Sequence, residues 1–195
     1  MNRYHRWFCR SAGWRRTVER RIPRALGAID LGDNVLEIGP GPGVTTDVLR
    51  RTHPRLTAIE VDAELADRLR SRLVGSETQV VTADATAMPF ADGQFSGAVS
   101  FAMLHHVPTA QLQDRVLHEI RRVLAPGGHF VGSDSLQGLY MRLIHIGDTL
   151  VPLDPAGFGA RLEAAGFQVL AVERESGAFV FRARRPITLE GATHD

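Results

Sequence analysis

From Asn34 onward the chain alternates short apolar runs with amphipathic stretches. Val35–Ile38 is a β-branched and aliphatic run that stops at a glycine cluster, and Val44–Thr52 then reads as a helix. Leu56–Glu60 reads as a strand. Ala63–Leu73 reads as a helix with Leu65, Ala66, Leu69 and Leu73 on one face. Strands are predicted over Thr78–Thr82 and Phe95–Phe101. Thr109–Leu124 carries Leu112, Val116, Ile120, Val123 and Leu124 at helical spacing, and Pro126-Gly127-Gly128 closes it. A fifth strand at His129–Ser133, a helix at Pro155–Ala165 and two strands at Gln168–Glu173 and Ala178–Arg184 complete the pattern.

Near-continuous apolar strands separated by helices predict a mostly parallel, seven-stranded sheet covered by helices on both faces, an α/β fold. The last two strands are joined by a few residues around Ser176-Gly177, too short for a parallel crossover, so the final strand should run antiparallel. Two segments stand outside the alternation: the N-terminal stretch Met1–Leu26 and an apolar, aromatic insertion at Leu136–Leu153. The expected organisation is a helical lid over 1–28, the main domain over 29–185, and a poorly ordered tail over 186–195.

Composition narrows the class. With 195 residues, 44% apolar and 23% charged, the chain can bury one substantial core. A single cysteine, Cys9, excludes an intrachain disulfide framework. No apolar run reaches the length of a membrane span and no secretory signal is visible, so a cytoplasmic protein is expected. The formal net charge of +1 gives no general pull toward nucleic acid.

In a parallel α/β sheet, ligands bind beyond the carboxyl ends of the strands, where strand order reverses. Four of the predicted strand ends carry suggestive residues there. The first is Glu37-Ile-Gly39-Pro-Gly41-Pro-Gly43. Its Gly-x-Gly-x-Gly spacing differs from the Gly-x-Gly-x-x-Gly of dinucleotide sites, and the acidic Glu37 suits a cationic group better than a pyrophosphate. The second is Glu60, placed to accept from the vicinal hydroxyls of a ribose, with Asp62 better read as the cap of the next helix. The third is Ala83-Asp84-Ala85, whose carboxylate could accept from an exocyclic amine. The fourth is Ser100-Phe-Ala-Met-Leu-His105-His106.

Taken together, Val35–Thr46, Ala83–Phe95, Leu104–Val107 and Arg122–His129 resemble, in order, the motifs of the class I S-adenosylmethionine-dependent methyltransferases, of the small type 11-like kind, over about Asn34 to Ser133. The resemblance implies a Rossmann-like methyltransferase fold with S-adenosylmethionine as cofactor and S-adenosylhomocysteine as product. It implies that Glu37 and the backbone at Gly39, Gly41 and Gly43 hold the methionine part and that Glu60 binds the ribose. Val61 and Ala85 would sandwich the adenine, Asp84 would receive its amine, and Phe101 would approach the methionine end. Where the family commonly has Asp after Phe95, this chain has Ser96, a departure expected to act on local structure.

Methyl transfer from a sulfonium is an in-line displacement that needs chiefly alignment, so neither a nucleophilic serine nor a metal is expected. His105 or His106 is a candidate general base, against the plainer reading of histidines at a helix start. Tyr140 and His145 are candidates for the acceptor side. The Arg-rich N-terminus, with Trp7, Phe8 and Trp14 interleaved, reads as a lid first and as a peripheral membrane contact second. The expected acceptor is small or lipid-like. Glu60-Val-Asp62 also resembles the ribosomal RNA adenine dimethylases, but their aromatic acceptor motif is replaced by Ser100-Phe-Ala-Met, which, with the low net charge, argues against a nucleic-acid acceptor. Two rival readings are a nicotinamide-dependent oxidoreductase and a non-catalytic module that keeps the cofactor site.

Overall fold

The computed structural model describes Phe8 and residues 11–187, apart from the side chains of Tyr140 and Ile144. Helix α1 (Ala12–Leu26) precedes β1 (Val35–Ile38), α2 (Val44–Leu49), β2 (Leu56–Glu60), α3 (Ala63–Arg72), β3 (Gln79–Thr82) and β4 (Phe95–Phe101). A 3-10 turn (Leu104–His106), α4 (Ala110–Val123), β5 (Leu124–Ser135), α5 (Leu139–Ile144), α6 (Pro155–Ala164), β6 (Gln168–Glu175) and β7 (Ala178–Arg184) follow. The seven strands lie in the order β3-β2-β1-β4-β5-β7-β6. β1 pairs in parallel with β2 and β4, β2 with β3, and β4 with β5, whereas β7 runs antiparallel to both β5 and β6. This is the Rossmann-like α/β architecture with an antiparallel last strand. Strand order reverses between β1 and β4, so the crevice falls at their carboxyl ends.

The period-two alternation of each strand divides the core between the two sheet faces. Leu36, Ile38, Ala98, Phe130, Phe179 and Phe181 point toward Leu117, Ile120 and Phe158 of α4 and α6. Val35, Val99, Val131 and Val180 point the other way, where Val18, Ile22 and Ala25 of α1 and Val44 and Leu49 of α2 cover them. The apolar side of α1 is therefore committed to the sheet. Ser11 caps its start by accepting from Trp14 N, and the Arg182 guanidinium of β7 caps its end by donating to the Arg24 and Ala25 carbonyls.

Several element ends differ from the sequence expectation. α2 stops at Leu49, short of Thr52. β5 begins at Leu124, so Pro126-Gly127-Gly128 lies inside the strand, where Gly127 N and Arg185 N bond across to Arg185 O and Gly128 O. Ser96 accepts from Asn34 N and donates to Asn34 O, both at 3.0 Å, tying β4 to the approach of β1. Of the expected N-terminal and C-terminal segments, residues 1–7, 9–10 and 188–195 lie outside the described residues.

Candidate functional site

The glycine turn after β1 does two different jobs. Gly39 has φ +66°, and a Cβ there would stand 2.1 Å from Met103 Cγ, so its bare backbone lets the ends of β1 and β4 close together. Gly41, also at positive φ, has open space around it and donates from its N–H to Glu60 Oε2 at 2.9 Å. Gly39 and Gly41 line a cavity of about 1070 Å³ at the carboxyl end of the sheet. Gly43 opens α2 and packs against Leu69 and Arg72, and it is not among the lining residues.

Glu60, at the end of β2, is buried. Its Oε2 accepts from Gly41 N and its Oε1 from Asp62 N at 3.0 Å, so the carboxylate is fixed at the cavity wall. Asp62 caps α3 by accepting from Leu65 N at 3.2 Å. Ala83 N bonds to the Glu60 carbonyl, which brings the loop after β3 alongside. On that loop Asp84 is exposed, accepts from Thr86 N at 2.8 Å, and lines the same cavity as Glu60, Val61 and Ala85. Behind the loop, Arg122 of α4 donates to the Met88 and Phe90 carbonyls at 2.9 and 2.7 Å, and Glu119 accepts from Met88 N. Arg122 also holds the Glu119 carboxyl below the usual range.

Glu37 stands behind the turn and does not line the cavity. Its Oε2 accepts from Thr46 Oγ1 at 2.7 Å, while its Oε1 is buried with no hydrogen-bond partner. Burial pushes its carboxyl up to about 8, opposed by the Thr46 bond and reinforced by Glu60 and Asp47. An uncompensated buried acceptor is costly unless something else supplies a donor, and a bound cation would do so.

The other end of the cavity is rich in imidazole. The 3-10 turn follows β4 through Ala102, which has φ +53° and donates to Ser133 O at 2.8 Å. His105 is buried, with Nδ1 2.6 Å from Asp134 Oδ1. Its Nε2 lies 3.2 Å from Nε2 of His145, whose Nδ1 is 2.7 Å from the Met141 carbonyl oxygen. Burial, chiefly, lowers the pKa of His145. His106 is half-buried, its ring 4.2 Å from that of His105 and 5.0 Å from that of His145. Gln113 of α4 donates to Leu104 O and Val151 O, tying the turn to the segment after α5. All three histidines line the cavity, together with Phe101, Met103 and Met141. The side chain of Tyr140 lies outside the described residues. Phe8, Trp14 and Arg21 complete one side of the wall.

The structure thus brings Gly39, Gly41, Glu60, Val61, Asp84, Ala85, Phe101, His105 and His106 to one cavity and leaves Glu37 and Gly43 behind it. Reasoning from sequence missed Asp134, although its place at the end of β5, beside β4, is where a topological argument would look.

The fold and site are those of an α/β protein with a switch-point crevice lined by one carboxylate on β2 and another on the loop after β3. Residues 36–132, about half of the chain, match the family model described as a methyltransferase domain. The chain is 35% identical over 106 residues to the ribosomal RNA small subunit methyltransferase A of Acidobacterium capsulatum, a match covering 54% of this chain and 37% of that protein. It is 31% identical over 146 residues to the probable tRNA methyltransferase 9B of Bos taurus, covering 75% and 31%. A SAM-dependent methyltransferase structure from Methanosarcina mazei shares the fold with a TM-score of 0.67 at 19% identity, covering 85% of this chain and 98% of that one. This chain belongs to the class I S-adenosylmethionine-dependent methyltransferase family, whose cofactor is S-adenosylmethionine. It spans about a third of the length of the two relatives named.

These relatives overturn the sequence-based case against a nucleic-acid acceptor, and with it the restriction to small or lipid-like acceptors, because one is a ribosomal RNA methyltransferase and the other a probable tRNA methyltransferase. The physical fault lay in the charge argument. A net charge averages over the surface, whereas α1 alone carries Arg15, Arg16, Arg20, Arg21 and Arg24 against Glu19. A missing acceptor motif likewise speaks only to one kind of base chemistry. Among the described residues no helix is long and apolar enough to cross a membrane.

Proposed function

We propose that this chain transfers a methyl group from S-adenosylmethionine to an acceptor that enters at the histidine-lined end of the cavity. The observation that carries the reading is that Glu60 and Asp84 face one cavity above an open glycine turn, and that this cavity continues to His105, His106 and His145. The residues fit the cofactor. Glu60 is placed for the ribose hydroxyls, Asp84 for the adenine amine, and Val61 and Ala85 for the faces of the ring. The unpartnered oxygen of Glu37 favours a cationic group on the far side of the turn. When bound, the cofactor supplies a methyl group on a sulfonium, which the acceptor's lone pair takes in line as the C–S electrons return to sulfur. The protein's own share is alignment and exclusion of water, worth on the order of 7–11 kcal/mol when the geometry is close to that of attack. The reading further assigns 29–185 as the methyltransferase domain and, of the N-terminal segment, Phe8, Trp14 and Arg21 as a cover at one side of the cavity, the rest of α1 packing on the sheet.

Calorimetry with S-adenosylhomocysteine and with NADH separates this reading from a nicotinamide-dependent oxidoreductase. Binding of the former alone is expected, and binding of NADH alone rejects the proposal. Incubation with methyl-labelled cofactor and fractionated RNA, protein and metabolite pools from cell extract should then label one pool. Failure to label any pool while S-adenosylhomocysteine binds would assign the chain to a non-catalytic binding module.

A further inference from the structure

The histidine end has a hydrogen-bond pattern that methyl transfer does not require. A carboxylate oxygen only accepts, so His105 Nδ1, 2.6 Å from Asp134 Oδ1, donates. A backbone carbonyl only accepts, so His145 Nδ1, 2.7 Å from Met141 O, donates as well. With both Nδ1 atoms donating, Nε2 is the nitrogen each ring has left for a further partner, and these two nitrogens lie 3.2 Å apart. A shared proton or a metal ion between them would satisfy both. Two ligands at metal–nitrogen bonds of 2.0–2.1 Å and a tetrahedral angle stand about 3.3 Å apart, close to the spacing seen.

We infer that His105, His106 and His145 form a binding site for a divalent transition metal, best matched to Zn²⁺, with a fourth position open to the cavity. One ligand atom from each of the three residues lies within 4.8 Å of the others. Completing the set requires the half-buried His106 ring, 4.2 Å from that of His105, to shift toward the ion. Three neutral imidazoles are a ligand set for zinc or a neighbouring transition metal rather than for Mg²⁺ or Ca²⁺. The outer partners are those that metal-bound histidines use: Asp134 behind His105 and the Met141 carbonyl behind His145, each fixing the tautomer that leaves Nε2 for the ion. Three protein ligands and an exposed fourth position make an open rather than a closed site. The ligands come from the turn after β4 and from the end of α5, and Asp134 comes from β5, so the folded sheet end assembles the set.

The site stands on this geometry alone. Its use, to polarise an acceptor atom and ease the loss of its proton, rests on the methyl-transfer reading above. The full chain, stripped with chelator, is titrated with Zn²⁺ and with Co²⁺. One ion per chain is expected, with Co²⁺ giving the intense visible absorption of a four-coordinate ion and Zn²⁺ displacing it. His106→Ala and His145→Ala should abolish stoichiometric binding, and Asp134→Asn should weaken it about 10–100-fold. Circular dichroism melts report whether each variant folds. Should a variant not fold, proton NMR of the Co²⁺-loaded wild type carries the test. Shifted, exchangeable imidazole N–H signals from His105 and His145 are expected, and their absence overturns the site. The site is likewise overturned if neither ion binds, the two Nε2 atoms then sharing only a proton, or if folded His106 and His145 variants bind metal as tightly as the wild type. Chelated protein that binds S-adenosylhomocysteine but no Zn²⁺ rejects the metal and leaves the methyl-transfer reading intact. Protein that binds Zn²⁺ but not S-adenosylhomocysteine does the reverse.

Discussion

Replacing Glu37 by glutamine preserves the shape of the side chain and its hydrogen bond from Thr46 while removing a titration that the fold handles at a cost. In the folded protein the carboxyl is held at about 8, largely by burial, against 4.5 for the ordinary side chain. A group whose pKa rises on folding contributes stability that is fully present below the unfolded value and lost as pH climbs through the folded one. Between 4.5 and about 8 the native protein holds a proton that the unfolded chain has released. Wild-type stability therefore falls by up to ~1.36 kcal/mol per pH unit from this group, about 4–5 kcal/mol across the window. The Glu37→Gln variant has no such slope. Other carboxylates titrate alike in both proteins, so the quantity to follow is the difference in unfolding free energy between variant and wild type, by urea denaturation at fixed temperature. That difference should swing in favour of Glu37→Gln by about 3 kcal/mol from pH 5 to pH 8. A difference that stays constant across the range would mean that Glu37 is ionised in the fold and that the argument from burial is wrong.

Other substitutions test the remaining parts of the site. Glu60→Ala frees the Gly41 and Asp62 N–H groups and should weaken S-adenosylhomocysteine binding by about 1–3 kcal/mol in calorimetry; unchanged affinity would place the ribose elsewhere. Gly39→Ala meets Met103 and keeps a φ of +66°, so a loss of roughly 1–3 kcal/mol in thermal unfolding is expected. Adding Met103→Ala should recover the part due to overlap and leave the backbone part. Arg122→Leu leaves the Met88 and Phe90 carbonyls without their donor and Glu119 with only its bond from Met88 N, and should destabilise the protein by about 2 kcal/mol and loosen the Asp84 loop. Faster amide exchange confined to residues 83–90 would support the pinning role, and unchanged exchange would refute it.

The cofactor end was legible because its information is local. Gly39 and Gly41 lie directly after Ile38, Glu60 closes the next strand, and Asp84 follows the one after, so strand period and turn residues alone bring them to one sheet edge. The strand pair at the end was legible for a similar reason, since a two-residue turn at Ser176-Gly177 leaves β6 and β7 no parallel option. What escaped was whatever depended on side chains meeting across distance or on burial. Glu37 stands at the head of the motif that carries the family resemblance, yet only its depth in the α1–α2 core shows it to be a buried acid behind the wall rather than a lining residue. The histidine cluster is the sharper case. His105 and His145 are forty positions apart, and Asp134 is twenty-nine from His105, with no spacing that any single helix or strand would bring into register. Their meeting requires β4 and β5 to be neighbours and the insertion to fold back, with Val151 N bonding to His105 O and Gln113 bridging the same two segments. A contiguous motif can specify how a nucleoside is held. The chemistry offered to an acceptor at the other end is set by tertiary packing, so two chains with the same glycine turn and the same pair of carboxylates can differ wholly in what they methylate.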